Sequence, residues 1–351
     1  MRLALVSDAW APQVNGVVRT LATTTERLRA RGHDVATITP DAFRTIACPS
    51  YPEIRLAIGC GREVARTLDR LGADSVHIAT EGPLGWAARR WCLNAGMPFT
   101  TSFHTRFPDY VAMRTGLPPR WFWPLVRRFH APAARIMVST NTLAAELKRN
   151  GLPRTHLWSR GVDLDLFSPA APRLPQLAGL PRPIQLYVGR VAVEKNIAAF
   201  LECPTRGTKV IVGDGPARAQ LEKSFPAARF LGAMHGASLA SAYASADLFV
   251  FPSRTDTFGM VMIEALASGL PVAAFPVPGP LDVLGAKGRG RDDGSPVIGA
   301  LDADLPAAID RALAARRADC VAEGRRYSWD ASTDQFLDGL APNAIALDLA
   351  A

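Results

Sequence analysis

No stretch of about 18 apolar residues occurs in this 351-residue sequence, so nothing in it predicts a membrane-crossing helix. The first apolar run, Leu3 to Val6, is too short for a secretory leader and is interrupted by Asp8. Cysteine is scarce. The five residues, Cys48, Cys60, Cys92, Cys203 and Cys320, are odd in number and form no Cys-x-x-Cys. Their scatter argues against a disulfide framework or a zinc site and fits a reducing compartment. The loop after the first apolar run is not Gly-x-Gly-x-x-Gly, which leaves a dinucleotide cofactor unsupported. Between Tyr110 and Ala145 there is no acidic residue at all, and no nucleic-acid motif accompanies that basic stretch.

What is present is unevenly placed. Residues 1–168 carry 22 Lys and Arg against 13 Asp and Glu, whereas the remainder carries 18 against 19. The whole excess of +8 therefore belongs to the first half, which calls for an anionic partner: nucleic acid, a membrane surface or an acidic substrate. Within 110–145, Arg114, Arg120, Arg127, Arg128 and Arg135 interleave with Trp121, Phe122, Trp123 and Phe129. Cations beside large aromatics suit a membrane-surface element, each Arg adding about 1 kcal/mol at an anionic bilayer. A helix with its aromatics in a core and its arginines in water has the same composition.

Length and an apolar content of 48% favour two domains with packed cores. Strand-like runs at Leu3–Ser7, Asp34–Thr39, Ser75–Ala79, Phe99–Phe103 and Arg135–Ser139 alternate with helical patterns at Val17–Arg31, Gly61–Leu71, Gly85–Asn94 and Thr142–Asn150. Ile184–Val188, Lys209–Val212, Arg229–Gly232, Leu248–Phe251 and Leu270–Phe275 continue the strands, with helices at 217–224, 238–244, 302–315 and 330–340. Such alternation predicts parallel sheets whose ligands gather at the strand carboxyl ends. Residues 44–60, with Pro49 and Pro52, read as a loop-rich insertion, and Gly285–Gly294 as a charged, mobile loop. The last ten residues suggest no role.

Three turns carry the chemistry. After Leu248–Phe251 comes a turn with Asp256, then a helix on whose face Phe258, Val261, Met262, Ala265 and Leu266 recur. Gly259 permits close backbone approach, and the helix start offers N–H groups to a diphosphate. Asp256 and Glu264 can accept hydrogen bonds from sugar hydroxyls; equally, Asp256 can be a helix cap and Glu264 a solvated carboxylate. After Ile184–Val188, Arg190 and Lys195 straddle a turn, a sound arrangement for neutralising a departing diphosphate. His104 follows Phe99–Phe103. A lone histidine is more often structural than catalytic, but at a strand terminus it is well placed to meet a sugar or phosphate.

The wording of these turns resembles glycosyltransferase family four. Asp256, seven residues, Glu264, an internal Phe258-Gly259 and a following Glu-Ala-x-Ala-x-Gly-x-Pro-Val match its donor-binding signature, although the first acid there is more often Glu. Gly189-Arg190-x-x-x-Glu194-Lys195-Asn196 resembles its diphosphate clamp, Phe103-His104-Thr-x-Phe its histidine loop, and Asn15-Gly16-Val-Val its first phosphate loop. Gly213-x-Gly215-Pro and Gly161-Val-Asp-x-x-x-Phe-x-Pro also match. The resemblance implies an α/β GT-B fold of two Rossmann-like domains facing across a cleft. It places an acceptor-binding domain at 1–168, a linker at 169–183, a nucleotide-sugar domain at 184–325, and a helix crossing back to the first domain within 326–351. It implies a retaining transfer with Arg190, Lys195, His104 and Asp256 at the reacting centre. Asn15, Gly16, Gly189, Gly213, Gly215, Phe258, Gly259, Met260, Val261 and Glu264 would surround the nucleotide sugar. No metal or other cofactor is expected, and Asp163-Leu164-Asp165 belongs to the domain-end string rather than to a metal site.

The wording at Asp8–Thr20 and His104–Tyr110 looks most like bacterial lipid glycosyltransferases of the diacylglycerol and sulfolipid type and their mannosyltransferase relatives. This implies UDP-glucose or UDP-glucuronate as donor, with GDP-mannose as the alternative, and a lipid acceptor. It also implies a cytoplasmic protein held at the inner face of the membrane through 110–145, with no nucleic-acid partner. A sugar-nucleotide epimerase and a non-catalytic binding module are the rival classes.

Overall fold

The computed structural model describes residues 1–342 apart from Val14, 49–50, Thr105, Thr255, Thr257 and 291–293, and only the backbone of 51–53, 110, 113 and 114. Arg114 of the basic stretch is thus outside the described side chains. The chain divides into two units, Met1–Arg160 with the segment from Trp329 onward, and Gly161–Ser328.

The first unit runs β1 (Arg2–Val6), α1 (Gly16–Ala30), β2 (Asp34–Ile38), β3 (Thr45–Cys48), β4 (Tyr51–Ala57), α2 (Gly61–Leu71), β5 (Ser75–Ile78), α3 (Pro83–Ala95), β6 (Phe99–Ser102), α4 (Phe107–Thr115), α5 (Trp123–His130), β7 (Arg135–Val138), α6 (Asn141–Arg149) and β8 (Thr155–Leu157). Six parallel strands stand in the order β2-β1-β5-β6-β7-β8. The second runs β9 (Ile184–Val188), α7 (Ile197–Glu202), β10 (Thr208–Val212), α8 (Arg218–Ser224), β11 (Arg229–Gly232), α9 (Gly236–Ser245), β12 (Leu248–Phe251), α10 (Met260–Ala267), β13 (Val272–Ala274), α11 (Pro278–Leu284), β14 (Gly299–Leu301), α12 (Leu305–Ala312) and α13 (Arg317–Gly324). Its sheet, also parallel, has the order β11-β10-β9-β12-β13-β14. Both sheets are wound in two directions from an interior strand. Strand order reverses between β1 and β5 in one and between β9 and β12 in the other, and loops leaving such a pair splay apart to leave a crevice at their carboxyl ends.

Residue chemistry accounts for the layers. Strands such as β12, Leu-Phe-Val-Phe, are buried along their whole length because helices cover both sheet faces. The helix α14 (Trp329–Gly339) closes the first unit. Phe336 packs 4.8 Å from the Trp158 ring and 5.0 Å from that of His77. Ser332 Oγ donates to the Ser159 carbonyl, and the Ser159 amide donates to Gln335 Oε1, both at 2.8 Å. Exposed ion pairs, Arg27 to Asp330 at 2.7 Å and Arg31 to Asp334 at 2.5 Å, fasten its outer face.

Three expectations need correction. Residues 44–60 contain the antiparallel pair β3–β4, with Ile46 opposite Leu56; Pro49 and Pro52 break the period-two pattern in the sequence. The glycine-rich stretch is anchored: the Gly290 amide donates to Leu284 O at 2.7 Å, Ile298 N to Gly288 O at 2.8 Å, and Arg289 Nη1 to Ser295 O at 2.8 Å. Within it, 291–293 lie outside the described residues, as do 343–351 of the last ten. The unit boundary falls after Arg160 rather than Ser168, because Val162 N donates to Tyr327 O at 2.8 Å and Val162, Phe167, Leu174 and Leu177 join the second core. The aromatics of 110–145 are not all of one kind. Trp123, Val126, Phe129 and His130 point inward at helical spacing, while Trp121 is 59% and Leu125 47% exposed. Trp123 stacks on Phe103, and Phe129 meets the Trp86 ring edge-on.

Candidate active site

In the second unit the turns after β9 and β10 lie backbone against backbone. Gly189 N donates to Val212 O at 3.0 Å, Val191 N to Asp214 O at 2.9 Å, and Gly213 N to Gly232 O at 2.8 Å. A Cβ on Gly213 would stand 1.8 Å from the Gly189 carbonyl oxygen, at a φ of +143° that side chains rarely adopt. Gly215 continues the same turn, its amide donating to Asp214 Oδ1 at 2.7 Å. This contact holds the Arg190 turn in place. Beneath it, the buried Tyr187 hydroxyl donates to Arg190 O at 2.9 Å. Burial, then the charges of Asp256 and Glu194, push that hydroxyl far above its ordinary range, so it stays protonated.

Past Arg190 the chain forms a single tight turn, Val193–Lys195, and Asn196 takes a left-handed conformation at φ 54°. Asn196 Nδ2 donates to the Pro252 carbonyl at 3.1 Å, clipping the β9 turn to the end of β12. The clip brings Lys195 Nζ to 2.5 Å from Asp256 Oδ1, with both side chains about a quarter exposed, at 25% and 24%. These two strands are the switch-point pair, so a cation from one and an acid from the other meet where this sheet offers a ligand crevice. Arg190 is exposed on the same turn.

Beyond Asp256, Phe258 is buried and Gly259 has φ 82°. A Cβ on Gly259 would approach Phe251 Cζ to 2.8 Å and Met262 Cε to 2.9 Å. α10 begins at Met260, followed by Val261. Glu264 is 2% exposed and accepts a hydrogen bond from the Tyr243 hydroxyl at 2.9 Å. It is therefore not a solvated carboxylate. Its orientation comes from α9, a contribution the sequence did not reveal because Tyr243 lies 21 residues away on another helix.

In the first unit Asn15 is an N-cap: its Oδ1 accepts from Val17 N and Val18 N, each at 3.0 Å, and Gly16 is the first residue of α1. Asp8, for which the sequence suggested no role, is buried and accepts from Leu84 N at 2.9 Å, Thr80 Oγ1 at 3.0 Å and Gly85 N at 3.3 Å. It caps α3 from the end of β1, across the switch point. Burial raises its pKa, and those three bonds oppose the rise. His104 is buried and lies 2.9 Å from a guanidinium nitrogen of Arg160, Nη2, through its Nδ1. Burial, then the Arg160 charge and the more distant His77 and His130, hold its pKa well below the histidine range, so the ring is neutral. His77 bonds Thr100 Oγ1 and Ser102 Oγ, both at 2.9 Å. His130 bonds Thr101 Oγ1 at 2.8 Å and Glu81 Oε1 at 3.1 Å. Asp163 Oδ1 accepts from Asp165 N and Leu166 N and so shapes a local turn.

Two parallel-sheet α/β units of this winding are those of the GT-B fold, and the protein shares that fold with sucrose-phosphate synthase from Thermosynechococcus elongatus at a TM-score of 0.74, with 23% identity over 96% of this chain and 97% of that one. Residues 14–166 match Glycosyltransferase Family 4, and residues 182–314 match Glycosyl transferases group 1. The sequence is 33% identical to a GDP-mannose-dependent alpha-mannosyltransferase of Mycobacterium tuberculosis over 96% of this chain and 95% of that protein. It is 26% identical to alpha-monoglucosyldiacylglycerol synthase of Acholeplasma laidlawii over 78% of this chain and 79% of that protein. The chain belongs to glycosyltransferase family four.

Proposed function

We propose that the protein moves a hexosyl residue from a nucleoside diphosphate sugar to a hydroxyl of a membrane lipid, with retention at the anomeric carbon. One observation carries the reading: the Lys195–Asp256 contact at the switch point of the second sheet. As the bond from the anomeric carbon to the diphosphate oxygen breaks, negative charge grows on the leaving group. Arg190 and Lys195 absorb it, with main-chain N–H groups of Phe258, Gly259, Met260 and Val261. Asp256 binds a hydroxyl of the donor sugar, and Glu264, oriented by Tyr243, holds the ribose; in the first unit, His104 is the hydrogen-bonding group for a sugar or phosphate oxygen of the donor. The Gly189 and Gly213–Gly215 turns receive the nucleotide diphosphate. The acceptor oxygen bonds to the anomeric carbon on the face the diphosphate leaves, and its proton passes to the departing phosphate oxygen. With two cations and helix-start amides for the charge, the step needs no metal ion.

The similarity over nearly the full chain to a GDP-mannose-dependent enzyme favours GDP-mannose as donor. The wording of the first loops favours UDP-glucose or UDP-glucuronate. A lipid acceptor is supported by the glucosyldiacylglycerol synthase likeness and by Trp121 and Leu125 standing exposed among Arg120, Arg127 and Arg128. Among the described residues no helix is long and apolar enough to cross a membrane, so contact with lipid would be made at the surface through this patch.

Incubation with labelled GDP-mannose, UDP-glucose and UDP-glucuronate plus membrane lipid extract, with and without EDTA, tests the proposal. Label in lipid from one donor, undiminished by EDTA, is the expected result. Conversion of donor without an acceptor would mark an epimerase, and binding without turnover a non-catalytic module. Flotation with anionic liposomes should fall for Trp121→Ser with Leu125→Ser, and equal flotation would remove the membrane face.

A further inference from the structure

The His104–Arg160 contact fixes more than a position. A guanidinium has five N–H donors and no acceptor, and even with its pKa lowered by burial to about 10 Arg160 stays charged at neutral pH. Nδ1 of His104, 2.9 Å from Arg160 Nη2, must therefore be the lone-pair nitrogen, and the single proton of the neutral ring sits on Nε2. Arg160 has no freedom to turn away. Its Nη1 donates to Trp158 O at 2.8 Å, and its guanidinium lies 5.0 Å from the Trp158 ring, against which His104 also packs edge-on at 5.6 Å. Both residues are buried, at 7% exposure each.

We propose that Arg160 is a positioning residue that locks His104 in the Nε2–H tautomer, so that the imidazole can offer a sugar or phosphate oxygen an N–H but never a lone pair. This rests on the donor-site role given to His104 above. Its consequence is that His104 binds as a neutral donor and takes no proton from the acceptor, which agrees with leaving-group oxygen as the base. The charged or titratable groups that disfavour a second proton on the ring are Arg160 at the chain exit from the unit, His77 on β5 and His130 on α5. The alternative is that Arg160 serves only to hold the Trp158–Arg160 chain.

The full-length protein labelled with ¹⁵N-histidine separates these. The six histidines give six ring spin systems, and His104→Gln assigns the one that disappears. In the wild type the His104 ring should show one protonated nitrogen, Nε2, with no change between about pH 5 and 8, where an ordinary histidine titrates. In Arg160→Met it should become a mixture of tautomers or titrate in that range, while Arg160→Lys, which keeps a cationic donor, should restore the single form. A proton on Nδ1 in the wild type overturns the proposal even if Arg160→Met fails to fold, and so does a single unchanged tautomer in Arg160→Met. With donor saturation measured alongside, kcat/KM should drop about 10- to 100-fold in Arg160→Met and recover in part in Arg160→Lys. If the tautomer shifts but kcat/KM of both Arg160→Met and His104→Gln stays at wild type, the lock is real and the donor-site role of His104 is the part that is wrong.

Discussion

Lys195 and Asp256 come from different strand ends and meet at 2.5 Å, each still about a quarter open to water. A contact so placed adds little to stability, since partly exposed ion pairs contribute about 0–1 kcal/mol. In the proposed reaction its worth lies in poising a cation. Lys195→Ala should leave the unfolding midpoint nearly unchanged while lowering kcat by about 10²–10³, the usual loss when one group that stabilises transition-state charge is removed; full activity in a steady-state assay would dismiss the leaving-group role. His77 makes the opposite kind of prediction. Burial depresses its pKa to about 3, against an ordinary value of 6.5. The folded state refuses a proton that the unfolded chain accepts below that ordinary value. The stability this gives is whole above pH 6.5 and drains away as pH falls toward 3, by up to about 1.4 kcal/mol per pH unit. Denaturant titrations of His77→Gln should show a gentler loss of stability over that window than the wild type, whatever the variant loses at neutral pH.

At the scale of elements, the site depends on turns that fit only because two main chains touch. Gly213→Ala would drive a methyl group into the Gly189 carbonyl oxygen, 1.8 Å away, and neither partner is a flexible side chain. The variant should lose about 1–3 kcal/mol or more and, because the Arg190 turn shifts, lose activity as well. Gly61→Ala is the control: it opens α2, and its added methyl meets nothing within 4 Å. Thermal unfolding should place Gly61→Ala at or above the wild type, by up to about 1 kcal/mol. Elements were legible wherever a buried run met punctuation. Leu248–Phe251 before Pro252, and Ile184–Val188 before Gly189, have the bounds of β12 and β9. The elements hidden in the sequence are those of weak contrast: β8 is only Thr-His-Leu, β14 only Gly-Ala-Leu, and β3–β4 are masked by prolines. The parts of the candidate site within one turn could be read from spacing. The parts made by partners could not: Arg160 stands 56 residues from His104, and Leu84 stands 76 from Asp8, with no periodicity joining them.

For the whole molecule, the governing fact is that the first unit is built from two separated pieces of chain. α14 supplies Phe336, fully buried against Trp158 and His77, together with the hydrogen bonds that hold Ser159. Phe336→Ala should cost about 3–5 kcal/mol, whereas Asp330→Asn, which removes exposed ion pairs to Arg27 and Arg31, should cost less than about 1 kcal/mol by denaturant titration. The ratio of the two effects tells whether α14 is a wall of the core or a strap across its surface.

That arrangement also bears on how the protein is made. Domains generally fold as they leave the ribosome, the earliest first. Here the opening 160 residues emerge with the apolar surface around Trp158 uncovered, and the second unit, Gly161–Ser328, is synthesised and can fold before the piece that covers it arrives. The half translated first is the half finished last, and until Trp329–Gly339 clears the exit tunnel that surface is open to any chaperone or neighbouring nascent chain.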